Sequence, residues 1–190
     1  MRNGALALSL ILSLWCAGAL AHDVKEPVAN FVAGRFSPPD AQLVDQRGVK
    51  KNFLKDVAAG RRLVISFFYT ECKTVCPVSN LVMADVAQKA FDKAGKPVRL
   101  VSITVDPLND TPDKLNKLAE SLGPRKDWVW LTGSKSEIRA LTHGLGLRYE
   151  RPEDHAVLFI VGDADTGRFV STLGMPNADQ LLRQLDGISD

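Results

Sequence analysis

A chain of 190 residues with 24 basic and 22 acidic side chains, a net charge of +2 and 45% hydrophobic residues can bury one ordinary core without help from disulfides. Basic residues are scattered and only 7% of positions are aromatic, so a nucleic-acid platform finds little support. No repeat or low-complexity tract divides the chain.

The opening segment, MRNGALALSLILSLWCAGALA, has an early charge at Arg2, an apolar stretch and the small-x-small ending Ala19-Leu20-Ala21. It predicts a signal peptide over residues 1–21 and an exported, periplasmic protein. The rival is an uncleaved inner-membrane anchor over residues 4–21, a run borderline in length for a span. Cleavage would remove Cys16 and leave one close cysteine pair in a compartment where thiols tend to oxidise. Residues 22–36 read as a flexible lead-in to one domain over residues 37–190.

AQLVDQRGVKKNF predicts a hairpin turning near Gln46-Arg47-Gly48. LVISFFY, 63–69, is an apolar run suited to a strand buried on both faces. Cys76-Pro77 opens a helix through about Ala94, with Val78, Val82, Val86 and Ala90 recurring on one face and Gly95 stopping it. PVRLVSITV predicts a second buried strand ending at Val105. Thr111 caps a helix with Pro112 at its first position, and Gly123-Pro124 ends it. WVWL is a short strand. Ser134-Lys135-Ser136-Glu137 is a capping box for a helix ending before Gly144. AVLFIV, 156–161, and RFVSTL, 168–173, form a hairpin around GDADTG, and Asn177 caps a last helix, 178–186.

Three alternations of strand and helix, then a hairpin and a closing helix, predict an α/β protein with a thioredoxin-like fold: a central mixed β-sheet flanked by helices, preceded by an N-terminal hairpin. In that topology the strand at 156–161 runs antiparallel to the strand at 63–69. His155, just before the one, therefore falls beside Cys72, just after the other.

Cys72 and Cys76 lie four positions apart, about one helical turn. Cys76 is placed at a helix entrance, where free N–H groups favour a thiolate, and Lys73 adds positive charge that Glu71 opposes. Three chemistries remain open: a structural disulfide, a redox couple or a metal clasp. So short a closed loop constrains the unfolded chain little, which weakens the first. Two thiolates with one imidazole suit copper, Cu(I) especially, with Cu(II) able to add an oxygen donor. Structural zinc wants four protein ligands and no fourth is evident. His143 reads as a helix C-terminal residue favourable to the dipole. His22 would become the new N-terminus of a processed chain.

FFYTECKTVCPVSN, SITVDPLNDTP, WLTGSKSEI and EDHAVLFIVGD, in this order, resemble the Sco/SenC family of copper proteins from about Phe36 to Leu185. The resemblance implies a thioredoxin-like fold that binds copper, as Cu(I) or Cu(II), and helps assemble the copper centre of cytochrome c oxidase, with an oxidase subunit or another periplasmic copper or thiol protein as partner. It places Cys72, Cys76 and His155 on the copper-ligand positions and Asp106 on the family's acidic position near the metal. On the residues alone Asp106-Pro107 equally well turns the chain, and Asp110 reads as help for the next helix cap. Lys73 replaces a proline common after the first cysteine, and Ala156 a serine common after the histidine. The expected protein is a monomeric metallochaperone. The alternative is a thiol–disulfide oxidoreductase in which Cys72 attacks and Cys76 resolves.

Overall fold

The computed structural model describes residues 29–35, 37–90, 98–123 and 125–188. The signal or anchor segment, His22 and the expected helix end at Ala94 lie outside them. Eight strands form one sheet: β1 (Phe31–Gly34), β2 (Gln42–Asp45), β3 (Lys50–Asn52), β4 (Arg62–Phe68), β5 (Val98–Thr104), β6 (Trp128–Gly133), β7 (Leu158–Asp163) and β8 (Arg168–Leu173). Their spatial order is β1-β8-β7-β4-β5-β6-β2-β3. β4, β5 and β6 run parallel, β7 runs antiparallel to β4, and β2–β3 is the expected hairpin. Among the described residues four α-helices flank the sheet: α1 (Cys76–Ala90), α2 (Pro112–Ser121), α3 (Lys135–Gly144) and α4 (Ala178–Ile188).

β4 explains the layering. All seven of its residues are buried, and because side chains alternate across a strand they feed two cores. Leu63, Ile65 and Phe67 join Phe53, Val57, Ile138 and Leu141 on one face, under α3. Val64 and Phe68 join Met83, Leu115, Trp130, Leu181 and both cysteines on the other, under α1, α2 and α4. Ser66 is tolerated inside because its hydroxyl meets Ser102 Oγ at 3.0 Å, which in turn accepts from Trp128 Nε1 at 3.0 Å. At Gly162 a Cβ would meet the Phe169 ring across the hairpin at 1.8 Å, so the pair β7–β8 closes only around glycine.

Several local expectations are corrected. Four residues of the flexible lead-in, 31–34, form edge strand β1 on β8. A six-residue π-helical turn, Phe53–Ala58, capped by Asn52, follows β3 and carries Phe53 and Val57 into the core. The buried face of α1 is Cys76, Ser79, Asn80, Met83, Val86 and Ala87, whereas Val78 is exposed. Ser134 caps α3 through Glu137 N–H at 3.2 Å, but the Glu137 carboxylate takes the Gln42 N–H instead of completing the box. The reciprocal box occurs at α4, where Asn177 Oδ1 accepts from Gln180 N at 2.8 Å and Gln180 Oε1 from Asn177 N at 2.9 Å.

Candidate metal and thiol site

The site forms where β4 runs out of apolar residues and the chain crosses to α1. Cys72 N–H turns back to the Tyr69 carbonyl at 3.2 Å. This sets the Cys72 sulfur against the start of α1, where the Cys76 N–H donates to Cys72 Sγ at 3.4 Å and Thr74 Oγ1 lies 3.8 Å away. A helix leaves its first N–H groups without internal partners, and here a sulfur takes one of them. Both cysteines are free thiols, 7% and 3% exposed.

The two thiols are unlike. Burial opposes ionisation of Cys72, but hydrogen bonds from the Cys76 thiol and N–H and from Thr74 outweigh it and bring Cys72 down to about 7. Cys76 is pushed up to about 12, by burial first and then by Cys72. The sequence assigned the benefit of the helix entrance to Cys76; the structure gives it to Cys72. Lys73 is not the source, because its ammonium lies 3.7 Å from Glu71 on an exposed surface, and Lys114 reaches Glu71 as well at 4.0 Å.

His155 arrives on the neighbouring strand lead. A single 3-10 turn, Pro152–Asp154, is braced by Arg151, which grips Asp154 with two bonds of 2.9 Å, and His155 follows directly. Its Nδ1 lies 3.0 Å from the Ala156 carbonyl. A carbonyl only accepts, so Nδ1 carries the proton and Nε2 keeps a free lone pair. Burial lowers the His155 pKa despite that hydrogen bond, which favours the neutral, ligating form. The imidazole meets Tyr69 edge-on, centroids 5.9 Å apart, and the Tyr69 carbonyl accepts the Cys72 N–H. Cys76, Cys72, Tyr69 and His155 thus form one run of contacts. Among the described residues no three Cys, His, Asp or Glu side chains are already gathered as a metal cluster: the sulfurs are together, and the imidazole joins them through Tyr69.

Asp106 follows the end of β5 on the same rim, but the hydrogen bonds of its carboxylate and carbonyl stay within its own turn. Its carboxylate accepts from Asn109 Nδ2 at 2.8 Å and its carbonyl from the N–H groups of Asn109 and Asp110. With Tyr149 and Arg139 it lines a cavity of about 90 Å³. Asp110 is no helix cap, a task that Thr111 performs through Lys114 N–H. It binds Thr70 and Thr104 instead. Tyr69 and Asp110 are what sequence reasoning missed; a tyrosine ending a buried strand beside a cysteine loop was the available signal for the first. His143 sits in the last turn of α3, as expected.

Fold and rim together define a thioredoxin-like protein with a reduced thiol pair at a helix entrance and a histidine supplied by the adjacent antiparallel strand. The SCO1/SenC family profile matches residues 33–186, and the chain belongs to that family. It is 34% identical over 135 residues, 70% of this chain and 65% of the relative, to the SCO1 protein homolog of Bacillus subtilis (strain 168). The copper-bound structure of Bradyrhizobium japonicum ScoI is similar at TM-score 0.61 and 26% identity, covering 82% of this chain and 99% of that one. BsSco, a member of the Sco family of cytochrome c oxidase assembly proteins with a disulfide switch, is similar at TM-score 0.67 and 26% identity, covering 85% and 97%. The chain spans about half to two thirds of the length of the curated relatives it matches.

Proposed function

We propose that this protein is an exported, periplasmic copper metallochaperone that carries copper on Cys72, Cys76 and His155 and delivers it to, or prepares the thiols of, the copper centre of cytochrome c oxidase. The observation that carries the reading is the donor set. One thiol is already lowered to about 7, a second lies one N–H bond away, and the imidazole has Nδ1 committed and Nε2 spare. Two soft sulfurs and one imidazole suit copper, and the family's copper-bound relative supports the same cargo. Cys72 and Cys76 would hold the metal through their sulfurs and His155 through Nε2, the imidazole closing by a shift that binding itself would drive. Asp106 enters only as an added oxygen donor for Cu(II). Among the described residues no helix is long and apolar enough to cross a membrane.

Copper is added to the reduced protein and its content and thiolate-to-copper absorption are measured in wild type, Cys72→Ser, Cys76→Ser and His155→Ala. The serine variants should lose the coloured, tight complex and His155→Ala should weaken it. Unchanged binding in the serine variants sinks the reading.

The unequal thiols favour a second reading, thiol–disulfide exchange. The Cys72 thiolate attacks a partner disulfide, releasing one partner thiolate and forming a mixed disulfide. Cys76 then attacks Cys72 sulfur, releasing the second partner thiol and leaving the Cys72–Cys76 disulfide. His155→Ala leaves this exchange largely intact while weakening copper retention, which separates the two.

A further inference from the structure

Asp110 has no exposed surface, yet its partners are neutral. Its two carboxylate oxygens accept from the Thr70 N–H at 3.1 and 3.2 Å, and further from the hydroxyls of Thr70 and Thr104. Thr70 stands two residues before Cys72 and forty residues from Asp110 in sequence. Thr104 Oγ1 also accepts the Asp106 N–H at 2.9 Å, so the same carboxylate is linked to the Asp106 turn. A buried carboxylate served by neutral donors carries a desolvation cost that those bonds offset only in part.

We propose that Asp110 is a positioning residue for the thiol pair: it clamps the loop before Cys72 to the end of β5, holds Cys72 Sγ on the Cys76 N–H, and ties the Asp106 turn to the same frame. The loop from Tyr69 to Val75 belongs to neither strand nor helix, so where Cys72 Sγ rests against the Cys76 N–H depends on what holds that loop. Thr70 is the point in the loop where both a main-chain and a side-chain donor are held, and both go to Asp110. Thr70, Thr104 and Asp110 belong to neither core, so releasing these bonds acts on the loop that carries Cys72 and leaves the rest of the packing in place. The metal arm of the test below rests on the copper reading; the clamp itself does not.

The test compares reduced, metal-free full-length wild type with Asp110→Asn, Asp110→Ala and Thr70→Val. Brief iodoacetamide treatment at neutral pH, followed by peptide mass spectrometry, reads the preference for Cys72 over Cys76. Asp110→Ala should cut that preference on the order of tenfold, the scale of losing hydrogen bonds to a charged group. Thr70→Val should cut it less, and Asp110→Asn, which keeps the shape and one acceptor oxygen, should fall between wild type and Asp110→Ala. A purely structural Asp110 would lower the unfolding midpoint and leave the preference intact in folded molecules, and that result overturns the proposal. Should Asp110→Ala fail to fold, Thr70→Val decides, because it removes a hydroxyl and keeps the main-chain bond. Copper is then added to the same proteins, and the thiolate-to-copper band should weaken in Asp110→Ala. Wild type that binds no copper sinks the copper reading and leaves the alkylation result standing. Wild type that binds copper, with an unchanged cysteine preference in every variant, sinks the clamp.

Discussion

The hairpin turn at one side of the sheet and the thiol rim are both organised by a carboxylate with no exposed surface, Asp45 in the first and Asp110 in the second. Asp45 satisfies itself locally. It accepts from the N–H groups of Arg47 and Val49 at 2.9 and 3.0 Å, and Arg47 Nη2 pairs with it at 2.9 Å. Burial pushes its pKa up, but the guanidinium and the two N–H groups hold it below the ordinary value. Asp110 takes neutral donors, from Thr104 six residues before it and from Thr70 forty before it, and burial prevails there. The same side chain, equally buried, shapes a turn where its partners are near in sequence and joins two loops where they are far. One region spends its polar group on stability, the other on the placement of a reactive sulfur.

The largest separation between the regions is expected in metal binding. Cys72→Ser or Cys76→Ser should abolish the coloured copper complex while shifting thermal stability little. Asp45→Ala should do the reverse, costing about 2 kcal/mol through unsatisfied N–H groups in the turn while leaving the copper spectrum unchanged. Chemical unfolding and absorption of the same samples check both halves. A copper spectrum altered by Asp45→Ala would mean that hairpin and rim are not independent.

Next in size is the split between the thiols. Since only the thiolate alkylates, the Cys72 rate in the reduced protein should reach half its plateau near pH 7, and Cys76 should stay unreactive until far higher pH, near 12. Peptide-resolved alkylation from pH 5 to 10 reads it directly. Cys76 titrating first would restore the original expectation that the helix entrance activates the second cysteine.

A smaller contrast lies in acid. Asp45 has a lowered folded pKa, so its stabilisation is fully present above the unfolded value near 3.9 and disappears as pH falls through the folded value. The stability gap between wild type and Asp45→Asn should therefore close below about pH 4. Asp110 has the opposite sign: the folded protein binds its proton more tightly, so ionisation costs stability as pH rises from the unfolded value through the raised folded one. Asp110→Asn should remove that downward slope. Unfolding midpoints between pH 3 and 7 for the two asparagine variants provide the measurement, and parallel slopes would erase the difference between the two carboxylates.

What was legible in the chain follows the same division between near and far. The buried run LVISFFY, the Thr111-Pro112 helix start and the hairpin around Gly48 rest on contacts within a few residues, and each appears where expected. Gly48 even adopts φ +76°, the conformation the turn demands. Topology alone placed His155 beside the cysteine strand, because the antiparallel pairing of β4 with β7 needs only the order of elements. Features made by distant partners were hidden. FVAG becomes β1 only because β8 offers an edge, and the rotation of α1 that buries Cys76 and exposes Val78 is decided by what packs beneath it. Glu137, expected to reach back to its own cap, is taken by Gln42 from another segment. Asp110 was hidden for that reason too, since nothing near it in the chain announces Thr70.

The smallest expected effect concerns Lys73, the residue whose charge the sequence offered as support for a thiolate. Its side chain is 78% exposed and its ammonium lies 3.7 Å from Glu71, a surface pair of the sort that solvent screens heavily. The hydrogen bonds at Cys72 come instead from Cys76 and Thr74, inside the turn. Lys73→Ala should therefore move the alkylation midpoint of Cys72 by well under about one pH unit. Thr74→Val, which removes the Thr74 hydroxyl from beside the sulfur, should raise that midpoint further than Lys73→Ala does. The order of the two shifts is the sensitive quantity. If Lys73→Ala gives the larger one, the thiolate is held by surface charge, the rim obeys the same local logic as the hairpin, and the distinction between the two regions fails at the sulfur itself.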